Sequence, residues 1–268
     1  MAFRCLPPER RRAIEAVYAF CRRADDAVDE APDTSTARKN LERVQREVVD
    51  LFEGRAGAGS ELLTAVEQFA LPQASFEALL EGVRWDLEGR RYDTSADLRE
   101  YCKRVASSVG RLCVRIFGCA ESRCDAYADE LGVALQWTNI LRDLGSDCER
   151  GRVYVPRASL ERHGLVAASL THPAPPVRAR VAELIRTEAA YARACFAESE
   201  RVLPPEERAR VLAGRIMGAV YLKLLERIEW AGASVLDERV RMSAPARFAV
   251  ALRVVAEERL RNWSGAAP

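Results

Sequence analysis

Two groups of acidic residues dominate the chemistry available to this sequence. The first is Asp25, Asp26 and Asp29, at the end of Tyr18-Ala-Phe-Cys-Arg-Arg-Ala-Asp-Asp-Ala-Val-Asp29. The second is Asp143 and Asp147, which follow Gln136 and Asn139 at successive steps of three, four and four. Carboxylate and amide oxygens are hard donors that suit Mg²⁺, a cation that keeps waters and phosphates among its ligands. Carboxylates on a buried face must be protonated, paired or metal-bound, because an isolated buried charge is very costly. The first group reads equally well as a solvated helix face paired with Arg22 and Arg23. The second is flanked by Val133, Leu135, Ile140, Leu141 and Leu144, so its polar stripe reads as the wall of a polar cavity. Two such walls face to face would hold several Mg²⁺ ions, and a diphosphate is the ligand that completes the arrangement. Arg22, Arg23, Arg142, Arg150, Arg152 and Arg157 lie near the two groups in sequence, and arginine binds phosphate oxygens through paired hydrogen bonds.

Helices must position these residues. Ala, Leu, Arg and Glu are abundant, all strong helix formers, and strand-like alternation is missing. Helices are expected at about 8–30, 36–53, 61–70, 74–88, 96–118, 122–148, 176–201, 205–230 and 244–262. Pro7-Pro8-Glu9 opens the first, whose apolar stripe is Ile14, Val17, Tyr18, Cys21 and Val28. At about 100° per residue Asp25 and Asp29 fall on that same stripe. Ala31-Pro32-Asp33 ends this helix, Gly54 to Ser60 is a turn, Pro72 and Gly89 bracket another helix, and Gly151 to Pro176 reads as mostly loop. Nothing marks a domain border or a repeat, so residues 1–268 are expected to form one all-α domain.

Composition narrows the function. Lys+Arg number 41 and Asp+Glu 40, a balance that argues against nucleic-acid binding. The eight cysteines include no Cys-x-x-Cys and there are only two histidines, leaving little material for a Cys/His zinc site and favouring buried, reduced thiols. Met1 to Pro8 has no signal-peptide core. The longest apolar run, Val211 to Leu225, is broken by Arg215 and Lys223 and falls short of a membrane span. A cytoplasmic protein is expected, with peripheral contact to a membrane as the most that the sequence supports.

The two acidic segments resemble the paired motifs of squalene and phytoene synthases. Tyr18 to Asp29 resembles the first, and Leu135-Gln-Trp-Thr-Asn-Ile-Leu-Arg-Asp-Leu-Gly-Ser-Asp147 the second, continuing into Glu149-Arg-Gly-Arg-Val-Tyr-Val-Pro156. Tyr101-Cys102 and Val105-Ala-Ser-Ser-Val-Gly110 look like the family's small-residue tunnel helix, and Gly218-Ala-Val-Tyr221 and Glu238-Arg-Val-Arg241 match as well. The resemblance implies an isoprenoid-synthase helical bundle around a central cavity. It implies Mg²⁺, with Mn²⁺ as a substitute, held by Asp25, Asp26, Asp29, Asn139, Asp143 and Asp147. Arg22, Gln136, Asn139, Arg142, Tyr221 and Arg239 would contact substrate, and Tyr101 would sit near the reacting carbons, with Asp25 and Asp143 essential to catalysis.

Three features depart from the family pattern. The chain starts at Met1-Ala2-Phe3, without the Ser-Phe-Tyr-like stretch that helps cover the diphosphates, so a short N-terminal segment is expected. Lys103 stands where an aromatic residue or His is frequent. Trp137 replaces a smaller aliphatic residue, and facing the tunnel it would shorten the prenyl pocket. The implied reaction is head-to-head condensation of two prenyl diphosphates. Leu212-Ala-Gly-Arg-Ile-Met-Gly-Ala-Val-Tyr221 looks most like bacterial presqualene diphosphate synthases, which use two farnesyl diphosphates; phytoene synthase, using two geranylgeranyl diphosphates, is the alternative. No NADPH is expected. Outside this activity, the other readings are a terpene cyclase, whose second metal motif has a different spacing, and a non-catalytic assembly factor, a type that tends to lose the aspartates present here.

Overall fold

The computed structural model describes residues 6–55, 60–119, 122, 124–171 and 173–264, and every regular element among them is helical. The expectation of a shortened N-terminal cover falls on residues 1–5, outside the described set. Helix α1 (Pro8–Asp29) carries proline in its first turn, where the missing N–H costs nothing. It buries Ile14, Val17, Phe20, Ala24 and Ala27, a three-and-four spacing that makes one helix face. This face meets α2 (Thr34–Phe52), α3 (Glu61–Phe69) and α4 (Gln73–Leu87). Asp33 starts α2 by accepting the Thr36 amide at 2.8 Å, an N-cap bond. Phe20 packs edge-to-face on Phe76 of α4, with centroids 5.1 Å apart.

The second half is built around α7 (Asp125–Arg142), which lies along the long α10 (Pro175–Val202) and touches α6 (Ser108–Ile116) and α11 (Leu212–Ala231). Helix α5 (Ser95–Cys102) opens with a reciprocal Thr94/Asp97 capping box and reaches α6 through a π-helical turn, Lys103–Ser107. That turn brings Ser107 so close to α7 that a Cβ on Gly132 would lie 2.5 Å from its backbone. The small residues Val105 to Gly110 thus serve close helix approach. Short helices α8 (Leu144–Glu149) and α9 (Arg157–Arg162) follow α7, and α12 (Ala244–Ser264) ends the described chain. No described helix is long and apolar enough to cross a membrane.

Several boundaries differ from the sequence reading, each for a local reason. The expected helix 122–148 is divided at Asp143, whose φ of −100° and ψ of 9° end α7 and begin α8. The Asp147 amide still bonds the Asp143 carbonyl at 2.9 Å, so the four-residue ladder survives the break. The helix expected from 205 starts at Leu212, behind a 3₁₀ turn at Pro205–Glu207. The expected 151–176 loop contains α9 and a 3₁₀ turn at Ala167–Leu170. Tyr18, placed on the core stripe by periodicity, is 66% exposed.

Helix α12 is pinned by charge as well as packing. Arg215 of α11 donates to Glu258 of α12, both nearly fully buried, and also pairs with Glu200. Removing one partner of a buried pair strands the other charge. Glu258→Ala is therefore expected to cost about 3 kcal/mol, read as a lower urea midpoint at constant m-value, whereas the apolar double replacement Arg215→Met/Glu258→Leu should cost much less.

Candidate active site

The acid groups of α1 stand beside its core face. Tyr18, Arg22, Asp25 and Asp29 recur at four, three and four, forming a second stripe next to the buried one, and all four are exposed. Periodicity alone merged the two stripes, which differ by little more than the angular width of a side chain. Asp25 is open to solvent, although protein atoms crowd it closely enough to disfavour its charged form. Burial first, then the charges of Asp29, Asp86 and Asp26, push its carboxyl up to about 7. Asp147 of α8 is likewise pushed up to about 7, by burial, then by Asp143 and Asp86, against the lowering effect of Arg152 and Arg150.

Asp86 of α4 joins these two sets, and the sequence reading missed it. Its charge acts on Asp25 and on Asp147, and Asp29 acts on it in turn. Tyr101 donates to Asp86 Oδ2 and Tyr154 to Oδ1, each at 2.8 Å. Burial pushes Asp86 up to about 6 despite these two bonds and the nearby Arg152. The same burial, then the Asp86 charge, drives the Tyr101 phenol far upward and keeps it a proton donor. Tyr92, Tyr101 and Tyr154 form a ring stack with neighbouring centroids 5.2–5.3 Å apart. The signal was present in sequence: Leu79, Val83 and Asp86 recur at four and three, placing one carboxylate on an otherwise apolar face.

Arginines occupy three of the expected metal ligands, Asp26, Asp29 and Asp143. Arg152 donates to Asp29 Oδ1 at 2.7 Å, tying α1 to the segment after α8. Asp143 accepts from Arg142 Nε at 2.9 Å and from Arg239 at 2.6 and 3.1 Å. Burial pushes Asp143 up, but the bonds and charges of Arg142 and Arg239 outweigh it and hold the carboxyl below its usual range. Tyr221 of α11 lies beside the Arg142 guanidinium. Asn139 donates to Gln136 Oε1 at 3.2 Å, and Asn139 Oδ1 is buried without a hydrogen-bond partner. Arg22 pairs with Asp26 one turn along α1; Arg23 pairs with Glu47 instead of an acid of α1.

The structure thus gathers Asp25, Asp29, Asp86, Asp143 and Asp147 with Arg142, Arg152, Arg239, Tyr101 and Tyr221, and leaves Arg22 and Asp26 paired with each other. Trp137 is buried against α10, donating Nε1 to Glu188 at 3.0 Å with its ring 4.2 Å from Tyr191. Among the described residues no three aspartate oxygens converge within 4.8 Å. A magnesium site does not need them to, because Mg²⁺ is held by one or two carboxylates plus phosphates and waters. The donor set is all oxygen, and the unpartnered Asn139 Oδ1 one turn before Asp143 adds a neutral one. These residues fit a hard divalent cation.

An all-helical bundle with aspartates on separate helices and arginines among them has the isoprenoid-synthase architecture. The squalene/phytoene synthase family profile matches residues 1–246, and the chain belongs to that family. It is 36% identical to the presqualene diphosphate synthase of Zymomonas mobilis over 234 residues, covering 85% of this chain and 78% of that one. It is 32% identical to the phytoene synthase of Mycobacterium bovis over 254 residues, covering 94% and 84%. Among solved structures it is similar to a dehydrosqualene synthase in complex with ligand, with TM-score 0.84, 27% identity, and coverage of 96% and 90%. It is also similar to a squalene synthase from Alicyclobacillus acidocaldarius, with TM-score 0.67, 30% identity, and coverage of 86% and 99%. The family comprises prenyltransferases that join prenyl diphosphates head to head and depend on divalent metals.

The raised carboxyls fix the sign of a pH effect. Asp25, Asp86 and Asp147 titrate from an ordinary 3.8 and hold their protons to about 7, 6 and 7 in the fold. Between those values the folded state binds more protons than the unfolded chain, so their contribution to stability falls as pH rises from about 4 to about 7. With chelator present, the urea midpoint should fall from about pH 5.5 to about pH 8 more steeply in the parent than in Asp25→Asn. Added Mg²⁺ should restore stability at the higher pH and have little effect at the lower.

Proposed function

We propose that the chain catalyses Mg²⁺-dependent head-to-head, 1′–1 condensation of two prenyl diphosphates, with farnesyl diphosphate as substrate and presqualene diphosphate as product. The observation that carries the proposal is the joining of two aspartate sets through Asp86, with arginines held on Asp29 and Asp143. Asp25, Asp29, Asp143, Asp147 and Asn139 would hold the cations, with Asp26 the least engaged of the expected ligands. When bound, the cations supply positive charge to the departing diphosphate.

The protein's own groups have separate tasks. Arg142 and Arg239 offer planar donor pairs suited to phosphate oxygens. Their charge is neutralised by Asp143 in the free protein, so a diphosphate competes with that carboxylate for them. The donor's C1–O bond breaks, and diphosphate leaves with the electron pair. The acceptor's double bond then forms the new bond to C1, and loss of a proton closes the cyclopropane. Water would trap the cation as an alcohol, so the bundle's apolar walls must exclude it. The Tyr92–Tyr101–Tyr154 stack offers ring faces to positive charge, a contact of up to about 2 kcal/mol when desolvated. The hydroxyls of Tyr101 and Tyr154 are committed to Asp86, which fixes how those two rings are turned.

Farnesyl over geranylgeranyl diphosphate is supported by the Leu212–Tyr221 motif and by the similarity to presqualene diphosphate synthases. The phytoene synthases among the relatives favour the second reading, two geranylgeranyl diphosphates. Incubating the protein with Mg²⁺ and each substrate, without NADPH, and weighing the products distinguishes them. Presqualene diphosphate from farnesyl diphosphate is expected. A C40 product from geranylgeranyl diphosphate alone would favour the second reading, and a cyclic C15 product would exclude coupling. Asp25→Asn and Asp143→Asn should each lower turnover by about a hundredfold or more with unchanged helical circular dichroism; full activity in both would remove these residues from the site.

A further inference from the structure

The turn between α6 and α7 gathers a different set of donors, at the far end of α7 from the aspartates. Gly118, at φ +91°, ends α6 in the left-handed region, and Cys119 follows with its amide on the Val114 carbonyl at 3.0 Å. Cys124 is the N-cap residue of α7. Glu207 closes the 3₁₀ turn ahead of α11. Cys119, Cys124 and Glu207 are all buried, Glu207 at 1% exposure. The two Sγ atoms and a carboxylate oxygen lie within 4.8 Å of one another, and no other such trio of Cys, His, Asp or Glu donors occurs among the described residues.

A buried carboxylate needs a charged or hydrogen-bonding partner. Arg210 is one, donating to Glu207 Oε2 at 2.9 Å. The hydrogen bond to Cys124, then burial, keep the Cys119 thiol protonated, and it also hydrogen-bonds Glu207, so a bound cation would have to draw the thiol protons off. The start of α7 favours a thiolate at Cys124. A disulfide is the competing account of the two sulfurs, and it would take the Cys119 thiol away from Glu207.

We propose that Cys119, Cys124 and Glu207 form a binding site for a thiophilic divalent cation of the zinc class, separate from the hard-cation site. Thiolate and carboxylate donors suit zinc, at about 2.3 Å and about 2.0–2.2 Å. Two sulfurs on a tetrahedral zinc stand about 3.8 Å apart at that bond length. Here they are 2.7 Å apart, so loading spreads them by about 1 Å, a distance that small side-chain rotations cover. The three protein donors leave one position for a water. Helix α7 has 18 residues, about 27 Å at 1.5 Å each, which sets this site well apart from Asp143. The ion would staple the α6–α7 turn to the turn before α11. It would thereby hold the start of the helix whose last turn carries Asn139. Counting cysteines and histidines overlooks the site because its third ligand is a glutamate.

Co²⁺ titration of the reduced, metal-stripped full chain tests this, read by the thiolate-to-cobalt charge-transfer absorbance and its displacement by Zn²⁺. One cobalt per chain is expected in the parent and in Asp25→Asn, with the band lost in Cys124→Ser. Glu207→Gln keeps both thiols and the side-chain shape, and should weaken cobalt binding by about tenfold or more. Absence of the band in the parent, equal affinity in Glu207→Gln, or a Cys119–Cys124 disulfide found by peptide mass analysis of the purified protein would each overturn the proposal.

Discussion

Repulsion between carboxylates is the constraint around which this fold is arranged. Burial first, and then the charges of neighbouring carboxylates, raise the proton affinity of Asp25 on α1, Asp86 on α4 and Asp147 on α8, with Asp29 acting on Asp25 and Asp86. Such a cluster is stable without cations only if its charge is lowered by protons or offset by arginines. Both devices are used. Asp25, Asp86 and Asp147 hold protons more tightly than free carboxyls, while Arg152 sits on Asp29 and Arg142 and Arg239 sit on Asp143. The free protein therefore has its anionic and cationic groups satisfied by each other. Each of those pairs is one that a magnesium-bound diphosphate can replace, cation for arginine on the aspartate and phosphate for aspartate on the arginine.

The scaffold that holds these charges is ordinary helix packing, sharpened where backbones come close. Gly132 lets α7 lie against Ser107 at the π-helical turn, and Ser107 donates to the Asp129 carbonyl at 2.7 Å. Trp137 and Glu188 lock α7 to α10 on its other side. Between them, these contacts leave α7 little freedom to rotate. Its last turn, with Gln136 and Asn139, and the break at Asp143 are delivered to a defined place. The tyrosine stack plays the same part for Asp86, whose two oxygens each accept one phenol.

How much of this was legible in the sequence follows from the range of each interaction. The all-α class, most helices and both acidic motifs depend on local periodicity, which a single chain displays. The break at Asp143 was hidden because Gln136, Asn139, Asp143 and Asp147 keep helical spacing across it. Asp86 was passed over because one acid in an apolar stripe carries no motif, although its place after Leu79 and Val83 was a usable sign. The exposure of Tyr18 and Asp25 depends on which of two adjacent faces of α1 meets its neighbours. The pairs Arg152–Asp29 and Arg239–Asp143 join residues 123 and 96 positions apart, and nothing in local spacing announces them.

The most direct test of the central claim, that these aspartates are a diphosphate-dependent cation site, is Mn²⁺ titration followed by electron paramagnetic resonance. It is run with and without inorganic diphosphate. Mn²⁺ should bind weakly alone and much more tightly with diphosphate, and Asp147→Asn should lose most of that gain. Mn²⁺ binding that is indifferent to diphosphate, or unchanged in Asp147→Asn, would contradict the claim.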